Sequence, residues 1–137
     1  MTDFPWQTKH LPAPPTTVAL DGSEVRVLLQ VSGGSLAHFE LGPGETSIAV
    51  VHKTIEELWY FLSGRGEMWR MKDDQEQIVE VGPDDCLTIP VGTRFQFRSF
   101  GFEPLAAVGA TIPAWPGEGE AVETEGHWTP TVEGSGT

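Results

Sequence analysis

The chain has 137 residues, of which 20 are acidic and only 8 are lysine or arginine, so its formal net charge at pH 7 is −12. This balance excludes nucleic acid as an expected partner, because binding to phosphates needs clustered basic side chains. The length fits one domain with a single core, and the 16 glycines and 11 prolines leave little room for long helices.

The first segment, residues 1–17, is predicted to be an extended arm. It contains Phe4-Pro5-Trp6 and Pro12-Ala13-Pro14-Pro15, and it has neither the basic start nor the apolar centre of a signal peptide. The chain also lacks an apolar run long enough to cross a bilayer. We therefore expect a cytoplasmic protein that does not enter a membrane.

Nine short runs rich in β-branched and aromatic residues follow the arm, each bounded by turn residues. They occupy residues 25–31, 36–41, 47–52, 58–62, 66–71, 77–81, 86–89, 95–100 and 105–112. Many short strands of this kind predict an all-β sandwich or barrel. Cys86, the single cysteine, begins one of the runs, and we expect it to be a small buried apolar side chain.

The runs at 47–52 and 58–62 enclose a polar corner at residues 53–57. Side chains alternate between the two faces of a strand, so Glu57, Trp59 and Phe61 should share one face. The sequence thus places a carboxylate on the same side as two large aromatic rings.

This part of the chain resembles the first motif of the cupin family, which is Gly, five residues, His-x-His, three or four residues, Glu, six residues, Gly. Every spacing is matched, by Gly44, Val50-Val51-His52, Glu57 and Gly64. Valine, however, stands at position 50, where the motif has its first histidine.

The second cupin motif, Gly, five residues, Pro-x-Gly, two residues, His, three residues, Asn, falls on Asp84, Pro90, Gly92, Phe95 and Ser99. Only the Pro-x-Gly element is retained. The resemblance implies a cupin-type double-stranded β-helix, or jelly-roll barrel, over residues 18–112, with extended arms at 1–17 and 113–137.

The resemblance also implies four metal ligands, of which only His52 and Glu57 remain. We predict a degenerate site without a metal cofactor, or with a weakly bound divalent ion at most. His38 is the strongest candidate for a further ligand, because a hairpin at residues 42–44 would place it opposite Ile48 and on the side of His52. A slip of one residue would reverse its direction, and a histidine hydrogen-bonded within its strand is the alternative.

The two retained residues ligate one ion in the family, so His52 and Glu57 should lie within hydrogen-bonding reach. We interpret them as a catalytic acid and base pair, with the pKa of the carboxyl group raised by burial; a buried polar remnant is the alternative. The predicted ligand-binding residues around them are His38, Val50, Trp59, Phe61, Phe95 and Phe97. Core filling is the other interpretation of these aromatic residues.

The tail at residues 113–137 looks disordered by composition, but it contains Trp115 and Trp128. Because tryptophan is costly to leave in water, we expect both to pack on the barrel or on a second subunit, and a tail that is mobile beyond residue 120 is the alternative. Aromatic arms also favour a homodimer.

We therefore predict a barrel that binds a small, flat or apolar molecule without a metal. Whether it is an enzyme is left open. One alternative is a metal-dependent enzyme of the isomerase or oxygenase type, with its site completed by His38 or another residue. The other is a non-catalytic accessory or sensing protein.

Overall fold

Eleven β-strands form the regular structure of residues 5–134, the part of the chain that the computed structural model describes. They are β1 (Thr17–Val18), β2 (Glu24–Val31), β3 (Gly34–Leu41), β4 (Val50–His52), β5 (Glu56–Ser63), β6 (Arg65–Lys72), β7 (Gln75–Val81), β8 (Cys86–Ile89), β9 (Arg94–Phe100), β10 (Leu105–Ile112) and β11 (Ala121–Glu123). The all-β prediction is confirmed. Nowhere between residues 5 and 134 is there a helix long and apolar enough to cross a membrane.

The strands form two antiparallel sheets that face each other. The six-stranded sheet has the order β1-β2-β3-β10-β5-β8, and the five-stranded sheet has the order β11-β4-β9-β6-β7. Inward-facing side chains of both sheets form one core, in which Trp59 and Phe61 of β5 meet Phe95 and Phe97 of β9. Removal of this apolar surface from water supplies the main driving force for folding.

The nine predicted runs all correspond to strands, although the run at 47–52 shortens to β4. Ser47 donates its backbone N–H to Phe97, but Ile48 donates to Asp21 in the segment before β2, so the strand ladder is interrupted ahead of β4. Two short strands, β1 and β11, were not predicted. β1 includes Thr17, so the N-terminal arm ends one residue earlier than expected, and its first four residues lie outside the described part of the chain.

The predicted hairpin at residues 42–44 is wrong. Both edges of β3 are occupied within the six-stranded sheet, by β2 and by β10, and His38 lies opposite Arg26 and Val108 rather than Ile48. After Leu41 the chain crosses to the other sheet, where Glu45 accepts a hydrogen bond from the backbone of Ser99. β3 and β4 are therefore not neighbours.

The C-terminal segment up to Gly134 packs on the barrel, as we predicted from the presence of Trp115 and Trp128. β11 extends the five-stranded sheet beside β4, and the guanidinium of Arg98 lies 4.4 Å from the ring centre of Trp128. Beyond β11, the backbone of Thr131 donates to the carbonyl of Thr46. The described residues beyond 120 thus contact the barrel, as expected if Trp115 and Trp128 pack on it; the prediction for 135–137 lies outside them.

The prediction for Cys86 is wrong, since this residue is exposed. It lies on β8, an edge strand, directly opposite Tyr60, whose side chain points away from the core. Because alternate residues of a strand face opposite sides, the neighbouring positions supply the core residues and Cys86 faces solvent.

Candidate functional site

A cavity of about 230 Å³ lies between the two sheets, and most of its wall is apolar. Its lining comes from β2, β3, β4, β5, β9 and β10, from the segment before β2, and from the C-terminal segment. Four wall residues are exposed to solvent and mark its mouth: Thr17, Val27, Gln30 and Trp115. The cavity is large enough for a small ring, because an engineered apolar cavity of about 150 Å³ binds benzene.

His52 and Glu57 lie together in the wall of this cavity, at the end of β4 and the start of β5. The imidazole Nδ1 is 3.2 Å from the carboxyl Oε1, which confirms that the two side chains are within reach. Both are almost fully buried, with 6% and 3% of their surface exposed. Nδ1 makes no hydrogen bond of normal geometry, so the contact leaves hydrogen-bonding capacity unused.

The carboxylate of Glu120 holds the polar corner that brings these two residues together. It accepts hydrogen bonds from the backbone N–H of Thr54 at 2.7 Å, from the hydroxyl of Thr54 at 2.6 Å and from the N–H of Ile55 at 3.1 Å. Burial alone would raise the pKa of Glu120, but these hydrogen bonds bring it below its ordinary value. Glu120 is therefore a structural anion whose oxygens are already engaged.

The surroundings shift the pKa values of the pair in opposite directions. Burial raises the pKa of Glu57 to about 8, with a further increase from nearby Asp21, while the Trp59 indole lowers it. Burial lowers the pKa of His52 to about 4, and the Glu120 carboxylate opposes this change. At neutral pH the favoured state is a carboxylic acid beside a neutral imidazole, with no net charge. The predicted rise in the pKa of Glu57 is thus supported.

The other predicted ligand-binding residues divide into two groups. Val50, Trp59 and Phe95 line the cavity. Phe61 and Phe97 do not, contrary to expectation, because they pack in the core against Trp59 with ring centres 5.9 and 5.2 Å from the indole.

His38 also differs from the expectation, since it does not line the cavity. Its neighbours in β3, Ala37 and Phe39, line the wall, so alternation directs His38 to the outer face of the sheet. There it is buried with its Nδ1 unpaired. The expected position of His38 depended on a hairpin at residues 42–44. Because the chain crosses to the other sheet there, His38 is not opposite Ile48.

Phe39 is a wall residue that the sequence did not reveal. Its ring stacks on Trp59, with centres 4.9 Å apart and planes within 15°. The stack depends on Gly109 of β10, where an added Cβ would lie 2.5 Å from the Phe39 ring. A glycine inside an otherwise apolar strand is the available sequence signal, because it often marks a close approach.

Asp21 and Trp115 were missed as well, and both reach the site from irregular segments. Asp21 is buried and accepts hydrogen bonds from the backbone and hydroxyl of Ser23 at 2.8 and 2.6 Å; burial raises its pKa despite these bonds. The Trp115 ring stands edge-on to His52 at 5.3 Å, and its backbone donates to Ser35. The Trp115 contacts join residues that are far apart in the sequence, and no local sequence pattern predicts them.

A metal of the kind that the cupin resemblance implies does not fit the residues present. Two of the four ligand positions hold Val50 and Phe95, whose side chains cannot coordinate an ion. Among residues 5–134, no three histidine, cysteine or acidic side chains are arranged to hold a metal. His38, proposed above to complete the shell, lies on the other face of its sheet.

A family profile described as a cupin domain matches residues 37–109. This stretch contains both motifs, from Gly44 to Ser99, and six of the eleven strands in full. The curated proteins contain no match to the chain.

Solved structures share the fold at low sequence identity. An uncharacterized conserved protein with a double-stranded β-helix domain from Klebsiella pneumoniae has a TM-score of 0.63 and 18% identity, over 76% of this chain and 85% of that one. The capsular polysaccharide assembling protein CapF from Staphylococcus aureus has a TM-score of 0.69 and 19% identity, over 82% and 34%.

Oxalate decarboxylase from Bacillus subtilis has a TM-score of 0.67 and 17% identity, over 78% of this chain and 29% of the enzyme. The chain therefore spans about a third of the length of each of the two larger proteins. At these identities the likeness establishes the double-stranded β-helix fold alone.

Proposed function

The chain belongs to the cupin family, and from that premise we propose that it binds a small, largely apolar molecule in the cavity between its two sheets. The observation that carries this proposal is the cavity itself, about 230 Å³ in volume and enclosed mainly by apolar side chains. Ligand sites in proteins are typically concave and apolar, with a few polar groups that orient the ligand.

The wall favours a flat ligand. Phe39 and Trp59 form a stacked pair on one side, and the ring of Phe95 stands edge-on to Trp59 at 6.0 Å. Aromatic rings prefer offset-stacked or edge-to-face contacts, so a ring-sized ligand can extend the arrangement already present.

The charges of the wall argue against an anionic ligand such as a sugar phosphate. No lysine or arginine side chain lines the cavity in the described part of the chain. An anion placed there would lose its hydration without gaining a counter-charge. We propose that the site works without a metal, because Val50 and Phe95 occupy two of the positions from which cupins hold one.

Filling the cavity tests the proposal. Ala37 lines the wall on β3, so Ala37→Leu should reduce the space and weaken binding of ring-sized fragments at least tenfold. Ala110→Leu on β10 is the matched control, since Ala110 lies opposite Leu58 and outside the cavity. Fragments would be screened by thermal shift and their affinities measured by calorimetry. Equal affinity for the Ala37→Leu and Ala110→Leu proteins, with both folded, would place the ligand elsewhere.

A further inference from the structure

Three polar groups lie in the cavity wall, and two of them make no hydrogen bond of normal geometry. The indole Nε1 of Trp59 and the Nδ1 of His52 are both buried in this state, and Nδ1 lies 3.2 Å from the Glu57 carboxyl. The Trp59 indole is close enough to that carboxyl to lower its pKa as a hydrogen-bond donor, but the contact is not a well-formed hydrogen bond. A buried donor without a well-formed hydrogen bond is costly, so a group that satisfies it should bind more tightly.

The Trp59 indole N–H determines which kind of ligand group can bind beside it. An indole N–H donates only, and the Trp59 side chain is 2% exposed, so its partner must be an acceptor inside the cavity. A protonated Glu57 can donate to the same acceptor, while neutral His52 offers one donor and one acceptor. An oxygen that accepts two hydrogen bonds therefore suits this point.

The charges at the site further restrict the class of ligand that can bind. Burial raises the pKa of Glu57 to about 8, so this group presents no stable negative charge to a cation at neutral pH. Asp21 Oδ1 already accepts two hydrogen bonds from Ser23. The Glu120 carboxylate is occupied by Thr54 and Ile55. Anions lack a counter-charge, since no lysine or arginine of residues 5–134 lines the wall and burial lowers the pKa of His52 to about 4.

We propose that this point recognises a neutral carbonyl-type oxygen on a ring-sized apolar ligand, through the Trp59 indole N–H and the Glu57–His52 pair. The inference rests on the proposed function, because it specifies which molecules the cavity accepts. The ligand class is thus uncharged cyclic or aromatic compounds that carry one oxygen acceptor.

Four probes of nearly equal size separate the possibilities: acetophenone, cumene, benzoate and benzamidine. Cumene has the shape of acetophenone without its oxygen, benzoate is an anion and benzamidine is a cation. Calorimetric titration of the full chain at pH 7 should give the tightest binding for acetophenone, about tenfold tighter than cumene, which is the ratio expected for one hydrogen bond of about 1.4 kcal/mol. The two charged probes should bind more weakly than cumene.

Trp59→Phe removes the N–H and keeps an aromatic ring. It should weaken acetophenone about tenfold and change cumene much less, and Ala110→Leu should change neither. Equal affinity of acetophenone and cumene for the wild type, equal weakening of both by Trp59→Phe, or tightest binding of benzamidine would each overturn the inference. If cumene still binds in any of these cases, the proposed function is retained. If none of the four probes binds, both the proposed function and this inference are contradicted.

Discussion

Glu57 is a carboxyl group that the fold keeps protonated, and this has a measurable effect on stability. Its pKa rises from 4.5 in a model peptide to about 8 in the folded chain. The folded protein therefore retains a proton that the unfolded chain has lost between these values. The resulting stability is present below about pH 4.5 and is lost as the pH rises through 8, on the order of 1.4 kcal/mol for each pH unit.

Glu57→Gln removes this ionisation. We expect the free energy of unfolding of the variant to fall less steeply between pH 5 and pH 8 than that of the wild type. Urea denaturation at several pH values measures the slope, and Glu56→Gln is the control, because Glu56 is an exposed neighbour on β5. Parallel slopes for Glu57→Gln and Glu56→Gln would contradict a protonated Glu57.

His52 changes the stability with pH in the opposite direction to Glu57. Its pKa is lowered to about 4, so the stability it contributes is present above its unfolded value of 6.5 and is lost as the pH falls from 6.5 towards 4. The effects of the two groups therefore oppose each other between about pH 4.5 and 6.5, and between 6.5 and 8 only Glu57 lowers the stability as the pH rises.

At the scale of elements, one buried amide makes four of the hydrogen bonds around the C-terminal segment. Gln96 of β9 is fully buried; it donates to the carbonyls of Ser47 and Trp128 and accepts from the backbone N–H groups of His127 and Trp128, all at 2.8 Å. Because these partners come from two separate segments, the side chain joins the tail to the segment that precedes β4.

Gln96→Ala should destabilise the chain by about 3 kcal/mol, since it leaves buried donors and acceptors without partners. Hydrogen exchange should accelerate first at the backbone amides of His127 and Trp128, and thermal melting gives the overall loss. Gln75→Ala, at an exposed position of β7, should change neither. Exchange rates at these two amides that stay as in the wild type would show that the segment is held by other contacts.

The elements themselves were predictable from the sequence, but their arrangement was only partly so. Strand periodicity and turn residues located nine of the eleven strands, and the cupin spacing placed His52 beside Glu57. The position of His38 was not predictable, because the turn at residues 42–44 could equally make a hairpin or a crossing between sheets. Asp21, Glu120 and Trp115 reach the site through long-range contacts from segments without periodicity, which local patterns do not encode.

At the scale of the whole molecule, the predicted homodimer remains a prediction, and the outer face of the six-stranded sheet is the surface we expect it to use. Leu58, Tyr60 and Leu62 of β5 point outward there, with 51%, 46% and 44% of their surface exposed. Beside them lie Val108 and Ala110 of β10, in register with Tyr60 and Leu58. Contiguous apolar patches of this kind commonly mark interaction sites.

A second copy of the chain is the partner that the charges favour on this face. With a net charge of −12, identical subunits repel each other wherever acidic side chains would meet. The patch itself consists of uncharged side chains, bordered by Asp84, which accepts a hydrogen bond from the Tyr60 hydroxyl at 2.6 Å. A two-fold axis would bring the same patch of both copies together.

Sedimentation equilibrium and light scattering over a range of concentrations would measure the association. Leu58→Glu combined with Leu62→Glu should convert the dimer to a monomer, because each interface would then bury four carboxylates facing one another. Ile78→Glu is the matched control, since Ile78 is similarly exposed, at 41%, on β7 of the other sheet. A wild type that stays monomeric at all concentrations would contradict the homodimer, and an Ile78→Glu monomer with an intact Leu58/Leu62 double variant would move the interface to the five-stranded sheet.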